Sequence, residues 1–122
     1  LAIPQRIARF NELLKEEIGI LVHNLKDPRI GFVTVTGVEA SNDLKYATVM
    51  VSILGNEKER EVALEALTSA RGFIQSELGK RLRLKYTPSL KFNRDDTIEK
   101  SLRISKILEE ISKDKSEQSR TE

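Results

Sequence analysis

The chain has 122 residues, about a third of them charged, with 21 Lys and Arg against 19 Asp and Glu for a net charge of +2; that suffices for one domain with an adequate core and is too weakly basic overall to announce a nucleic-acid ligand. The absence of cysteine removes disulfides, thiolate zinc sites and cysteine nucleophiles, and the single histidine leaves little room for metal chemistry. No run approaches the roughly 20 apolar residues of a membrane span, and the start LAIPQRIARF lacks the apolar centre of a signal peptide, so the expectation is a soluble cytoplasmic protein.

Pro4 to Leu25 carries Ile7, Phe10, Leu13, Leu14, Ile18, Leu21, Val22 and Leu25 at three- and four-residue steps, which predicts a long amphipathic helix. Pro4 suits its first turn, and Asp27-Pro28 ends it because a residue before proline is pushed out of the α region. Arg6 and Arg9 lie on the polar side, where they either reach toward RNA or simply face solvent. His23, late in the same pattern, reads as a surface or cap residue. Phe32 to Glu39, FVTVTGVE, is rich in β-branched residues and predicts a strand, with turn chemistry at Ser41-Asn42-Asp43. Lys45 to Leu54 follows as the second strand of a hairpin, with Ala47, Val49, Val51 and Ile53 on an apolar face and Tyr46, Thr48, Met50 and Ser52 on one left for water or a partner.

Asn56, with Glu59 three residues on, supplies a variant capping box for a helix starting near Glu57. Val62, Ala63, Ala66, Leu67 and Ala70 carry its buried stripe into Ala70-Arg71-Gly72, and Phe73, Ile74, Leu78 and Leu82 continue it. Glycine inside a helix costs roughly 1 kcal/mol relative to alanine, so a kink between two helices is expected at Ala70 and Gly72, in a close-packed bend. The small residues beside Arg71 also leave backbone that a phosphate can approach. Leu84, Tyr86, Leu90 and Phe92 then alternate with Lys85, Thr87, Ser89 and Lys91, which predicts a third strand, and Pro88 confines it to the sheet edge. On this pattern Tyr86 falls on the apolar side and most aromatics belong to the core, which gives base stacking little support. Asp95-Asp96-Thr97 with Glu99 caps a last helix bearing Ile98, Leu102, Ile104, Ile107, Leu108 and Ile111, and this cap reading replaces one of paired catalytic carboxylates. No apolar residue follows Ile111, so 1–111 is the expected domain and 112–122 a disordered tail.

Charge is localised. From Leu78 to Arg94 there are Lys80, Arg81, Arg83, Lys85, Lys91 and Arg94 and no acid, and setting these six aside leaves the rest of a +2 chain at −4. Helix-dipole and edge-strand roles account for some of these cations. Six without a compensating acid favour phosphate contacts, which give affinity with little sequence discrimination.

The order helix, strand, strand, helix, break, helix, strand, helix, with DPRIGFVTVTGVEASNDLKYATVMVSILG in the first half and ARGFIQSELGKRLRLKYTPSLKF in the second, resembles the bacterial ribosome-binding factor A family from about Arg6 to Ile111. The resemblance implies an α+β, type II KH-like single domain, α-β-β-α-(kink)-α-β-α, with a three-stranded mixed sheet covered on one face by helices. It also implies a monomeric, non-enzymatic factor, without metal or other cofactor, that binds free small (30S) ribosomal subunits and 16S rRNA and assists late maturation. Ordinary KH domains clamp nucleic acid with a GXXG loop; the glycines here stand at 19, 31, 37, 55, 72 and 79, and the family's small residue, any residue, glycine is matched by Ala70-Arg71-Gly72. Recognition of folded rRNA by shape and phosphate is therefore expected, through Arg71, Lys80, Arg81, Arg83, Lys85, Lys91 and Arg94, with Arg6 and Arg9. A protein-interaction adaptor that docks through the Ile98 to Ile111 helix is the alternative, and salt dependence separates the two.

Overall fold

The computed structural model describes residues 4–97 and 106–111. Among them the chain forms α1 (Gln5–His23), β1 (Val33–Ala40), β2 (Tyr46–Ile53), α2 (Glu57–Ser69), α3 (Arg71–Leu82) and β3 (Ser89–Arg94), and 106–111 are helical. The remainder of the expected last helix, and the tail, lie outside the described residues.

Each element starts where local chemistry permits. Pro4 sits just outside α1 rather than in its first turn: its ψ of 137° is extended, and its carbonyl accepts from the amides of Ile7 and Ala8. Asn56 and Glu59 form the reciprocal capping box, with Glu59 N–H donating to Asn56 Oδ1 at 2.8 Å and Asn56 N–H to Glu59 Oε1 at 3.1 Å. The α2 stripe ends at Ala70, which closes α2 and opens α3 in one residue, so the break falls there. Gly72 is not close-packed: a Cβ placed on it would find no atom within 4 Å.

The sheet order is β1-β2-β3, antiparallel then parallel, so β3 is an edge strand as expected, although Pro88 lies just before it rather than within it. Its start is later than the alternation suggested. Pro88 has no N–H for the ladder, and pairing begins at Ser89 against Tyr46; Leu84 to Thr87 form a connection instead. In β1 a bulge between Val35 and Gly37 shifts the register. Val35 and Val38 are an odd number of residues apart and would face opposite ways in a regular strand. The extra residue, Thr36, lets both reach the core. The core lies between the inner sheet face, centred on Val49, Val51 and Leu90, and the helices, which contribute Leu14, Ile18, Leu67, Ile74 and Leu78.

Both free sheet edges meet a helix carboxamide. The hydrogen bond from Ser41 N–H to Tyr46 O places the Ala40 amide on the side of β1 away from β2, where Asn11 Oδ1 accepts from it at 2.8 Å. Along β3 the amides of Ser89 and, just past the strand, Asp95 donate to the carbonyls of Lys45 and Val51 on the β2 side, so the alternate amides face outward, and Leu90 N–H donates to Gln75 Oε1 at 2.9 Å. The sheet's outer face, with Thr34, Glu39, Tyr46, Ser89 and Lys91 exposed, has no helix over it among the described residues. This is the type II KH-like architecture.

Candidate nucleic-acid interface

The seam between α3 and the edge strand β3 organises the basic residues. At its upper end the α2–α3 break sets Thr68 and Arg71 opposite Tyr46 and Thr48 of β2 and Ser89 and Lys91 of β3, around a hollow of about 440 Å³. Gly72 follows Arg71 and leaves its backbone open. The alternation in β3 turns the Phe92 amide away from β2, and Phe92 also lines the hollow. Further along, Gln75 bonds Leu90, and at the lower end Gly79 faces Thr87 so closely that a Cβ on Gly79 would lie 2.5 Å from Thr87 Oγ1. Beyond that contact stand Arg83, Lys85 and Tyr86, all exposed. Basic side chains thus flank one seam at both ends of a 12-residue helix, roughly 18 Å apart at 1.5 Å per residue.

The structure divides the expected cations. Arg71, Arg83, Lys85 and Lys91 are exposed and make no ion pair among the described residues. Lys80 is exposed with Glu77 3.6 Å away, an i,i+3 pair too solvated to hold it. Arg81 and Arg94 correct the expectation of six uncompensated charges. Arg81 Nε donates to Glu17 Oε2 at 2.6 Å and so ties α3 to α1. Arg94 forks onto Glu57 at 2.6 and 3.0 Å and reaches Asp96 at 3.2 Å, with its side chain only 17% exposed. The hydrogen bonds it donates to Glu57 hold the Arg94 guanidinium's pKa above its ordinary value, and Arg94 in turn lowers that of Glu57. Arg6 and Arg9 are exposed on α1, which packs chiefly on β1, across the sheet from β3.

The carboxylates after β3 are engaged. Asp95 accepts from Thr97 N–H at 3.1 Å and from Thr36 Oγ1 at 2.8 Å, which lowers its pKa, and Asp96 accepts from Arg94. Among the described residues no group of three His, Cys, Asp or Glu side chains could hold a metal ion. A larger hollow of about 690 Å³ runs along α1, but Glu12 and Glu16 beside one lysine make it a poor seat for phosphate.

Exposed aromatics overturn one sequence expectation. Tyr46 is 64% exposed, Phe73 57%, Phe32 79% and Tyr86 80%, whereas Phe92 is buried. Phe73 leaves the stripe because the break at Ala70 rotates α3's buried face onto Ile74 and Leu78. Tyr86 leaves it because it precedes the strand. Sequence reasoning missed Tyr46, Thr68 and Ser89 as lining residues, although the alternation in β2 had already set Tyr46 opposite the buried valines.

A family model described as ribosome-binding factor A matches residues 6–108. The chain is 46% identical over 119 residues to the ribosome-binding factor A of Halothermothrix orenii, covering 97% of both. It is similar to the crystal structure of ribosome-binding factor A from Thermus thermophilus, with a TM-score of 0.67, 31% identity and coverage of 72% of this chain and 93% of that one. It is also similar to T. thermophilus ribosome-binding factor A coordinates fitted into a cryo-electron microscopy map of its complex with the 30S subunit, with a TM-score of 0.61, 30% identity and coverage of 70% and 90%.

Proposed function

Because the chain belongs to the ribosome-binding factor A family, we propose that it binds free small ribosomal subunits through 16S rRNA and assists their late maturation in the cytoplasm without catalysing a reaction. The observation that carries this reading is the seam itself. Arg71, Arg83, Lys85 and Lys91 hold open charge along one helix and one strand edge, beside bare backbone at Gly72. Such cations neutralise phosphates and release counterions, and their fixed spacing selects an RNA shape rather than a base sequence. The complex formed by the T. thermophilus relative supports the small subunit as partner.

Within the site, Arg71, Lys80, Arg83, Lys85 and Lys91 contact phosphate, while Arg81 and Arg94 chiefly brace α3 and β3 against Glu17 and Glu57. Arg6 and Arg9 form a separate contact on the β1 side. Ala70 and Gly72 shape the bend that lets RNA backbone come near. Residues 1–111 act as the binding domain. Sedimentation of the purified protein with small subunits, large subunits and whole ribosomes tests the reading. It should travel with small subunits alone and dissociate steeply as salt rises; salt-insensitive association would favour apolar docking through Ile107, Leu108 and Ile111, which are about half exposed.

A further inference from the structure

We propose that residues 83–88, the connection from α3 to β3, form a rigid fingertip that holds one unpaired nucleotide of the RNA against the open face of Tyr86. The inference rests on the rRNA reading above and adds a base contact to a site otherwise made of charge.

Three independent features point to it. First, Arg83 is in the left-handed region (φ 53°, ψ 42°) at the end of α3, where Leu84 N–H bonds Gly79 O at 3.0 Å and Arg83 N–H reaches Lys80 O at 3.4 Å. That paired closure ordinarily takes glycine, because a Cβ is disfavoured there. An arginine held at such a position keeps its cation at the cost of backbone strain, a pattern found where function fixes the residue. Second, the connection is clamped. Thr87 packs into the space left by the missing side chain of Gly79, and Pro88 is fully buried. Third, the clamp presents a ring to solvent: Tyr86 is 80% exposed, and Lys85 Nζ lies 5.6 Å from the ring centroid. The ammonium covers one face and leaves the other open.

A nucleotide fits this arrangement in both parts. Its base stacks on the free face of Tyr86, and its phosphates meet Lys85, which sits over the ring, and the exposed Lys80 and Arg83 that precede it in the chain. The base must be unpaired, because bases within a duplex are already stacked and their faces closed. An apolar pocket on a protein would not call for a cation on the ring and two more exposed just before it in the chain.

The test uses a short mixed-sequence RNA carrying 2-aminopurine, single-stranded or annealed to its complement, together with purified small subunits. Wild-type protein should quench the single strand's fluorescence and leave the duplex unaffected. Tyr86→Phe should behave as wild type. Tyr86→Ala should lose the quenching and bind subunits about tenfold more weakly with an unchanged salt slope, since a stacked base and no charge has been removed. Arg83→Gly should melt higher yet bind less well, with a salt slope smaller by about one. If wild type binds subunits and Tyr86→Ala binds them equally, the fingertip is refuted and the rRNA reading stands. If Tyr86→Ala weakens subunit binding but wild type quenches nothing, the ring meets protein and the proposal falls. If wild type fails to bind subunits at all, both readings fall together.

Discussion

Replacing Gly72 with alanine separates folding from binding at the break. Gly72 does not adopt a positive φ, so alanine can take its backbone conformation without strain, and the new Cβ would meet nothing within 4 Å. The only fold term left is helix propensity, a gain of about 0.5–1 kcal/mol for Gly→Ala in a helix. For a domain of this size that corresponds to a rise of roughly 2–6 °C in Tm. If an RNA phosphate lies against the bare backbone beside Arg71, the added methyl group holds it off, and affinity for small subunits should drop tenfold or more. The salt slope should stay as it was, because no charge has changed. Thermal melts, urea titrations and co-sedimentation at several salt concentrations give the three readouts. A variant that is more stable and binds as well as wild type would show that no ligand approaches Gly72; one that loses more than about 1 kcal/mol would show that the position is crowded.

The same substitution at Gly79 should have the opposite effect, losing about 1–3 kcal/mol because the Cβ would enter the space of Thr87 Oγ1; a melt unchanged from wild type would refute the clamp. Lys91→Glu should weaken subunit binding and reduce the salt slope, whereas Lys58→Glu, among Glu57, Glu59 and Glu61, should matter less; equal effects in filter binding would undo the localisation of the site. Deleting residues 113–122 should leave Tm nearly unchanged, and a loss of several degrees would show that the tail packs. Stability should also fall in acid. Hydrogen bonds from Thr97 and Thr36 lower the pKa of Asp95 below its ordinary 3.8, and Arg94 lowers that of Glu57 below 4.5. A lowered folded-state pKa stabilises fully above the unfolded value and is lost as pH falls through the folded one. Urea midpoints should therefore be flat from neutral to about pH 5 and decline below pH 4, with a smaller decline in Asp95→Asn.

Local chemistry was the legible part of the fold. The capping box at Asn56, the stripe of α1 and the alternation of β2 each depend on residues within a few positions of one another, and the structure has them where the spacing put them, except that Leu13 at the margin of the stripe is exposed and α1 ends at His23, before Leu25. Across the break at Ala70 the phase of the stripe is no longer fixed by counting, which is why Phe73 reads as core and is exposed. Pro88 marks an edge strand but not which side of the proline pairs. Glu17, which engages Arg81, and Glu57, which takes the fork of Arg94, lie 64 and 37 residues away on α1 and α2, so a count of charge between Leu78 and Arg94 misses them; only Asp96, two residues beyond Arg94, was within local reach. The open cations and the exposed rings became distinguishable only once the chain had folded back on itself.

The two carboxamides at the sheet margins have a consequence for how the molecule behaves at high concentration. A three-stranded sheet has two margins, and each is a template on which a second copy could lay a strand. Asn11 takes an outward amide at the end of β1, and Gln75 takes one at the start of β3, so a strand arriving at either margin finds its first rung already occupied. Both side chains come from helices that pack on the core. A second copy adding a strand at either margin would first have to displace a carboxamide from its amide.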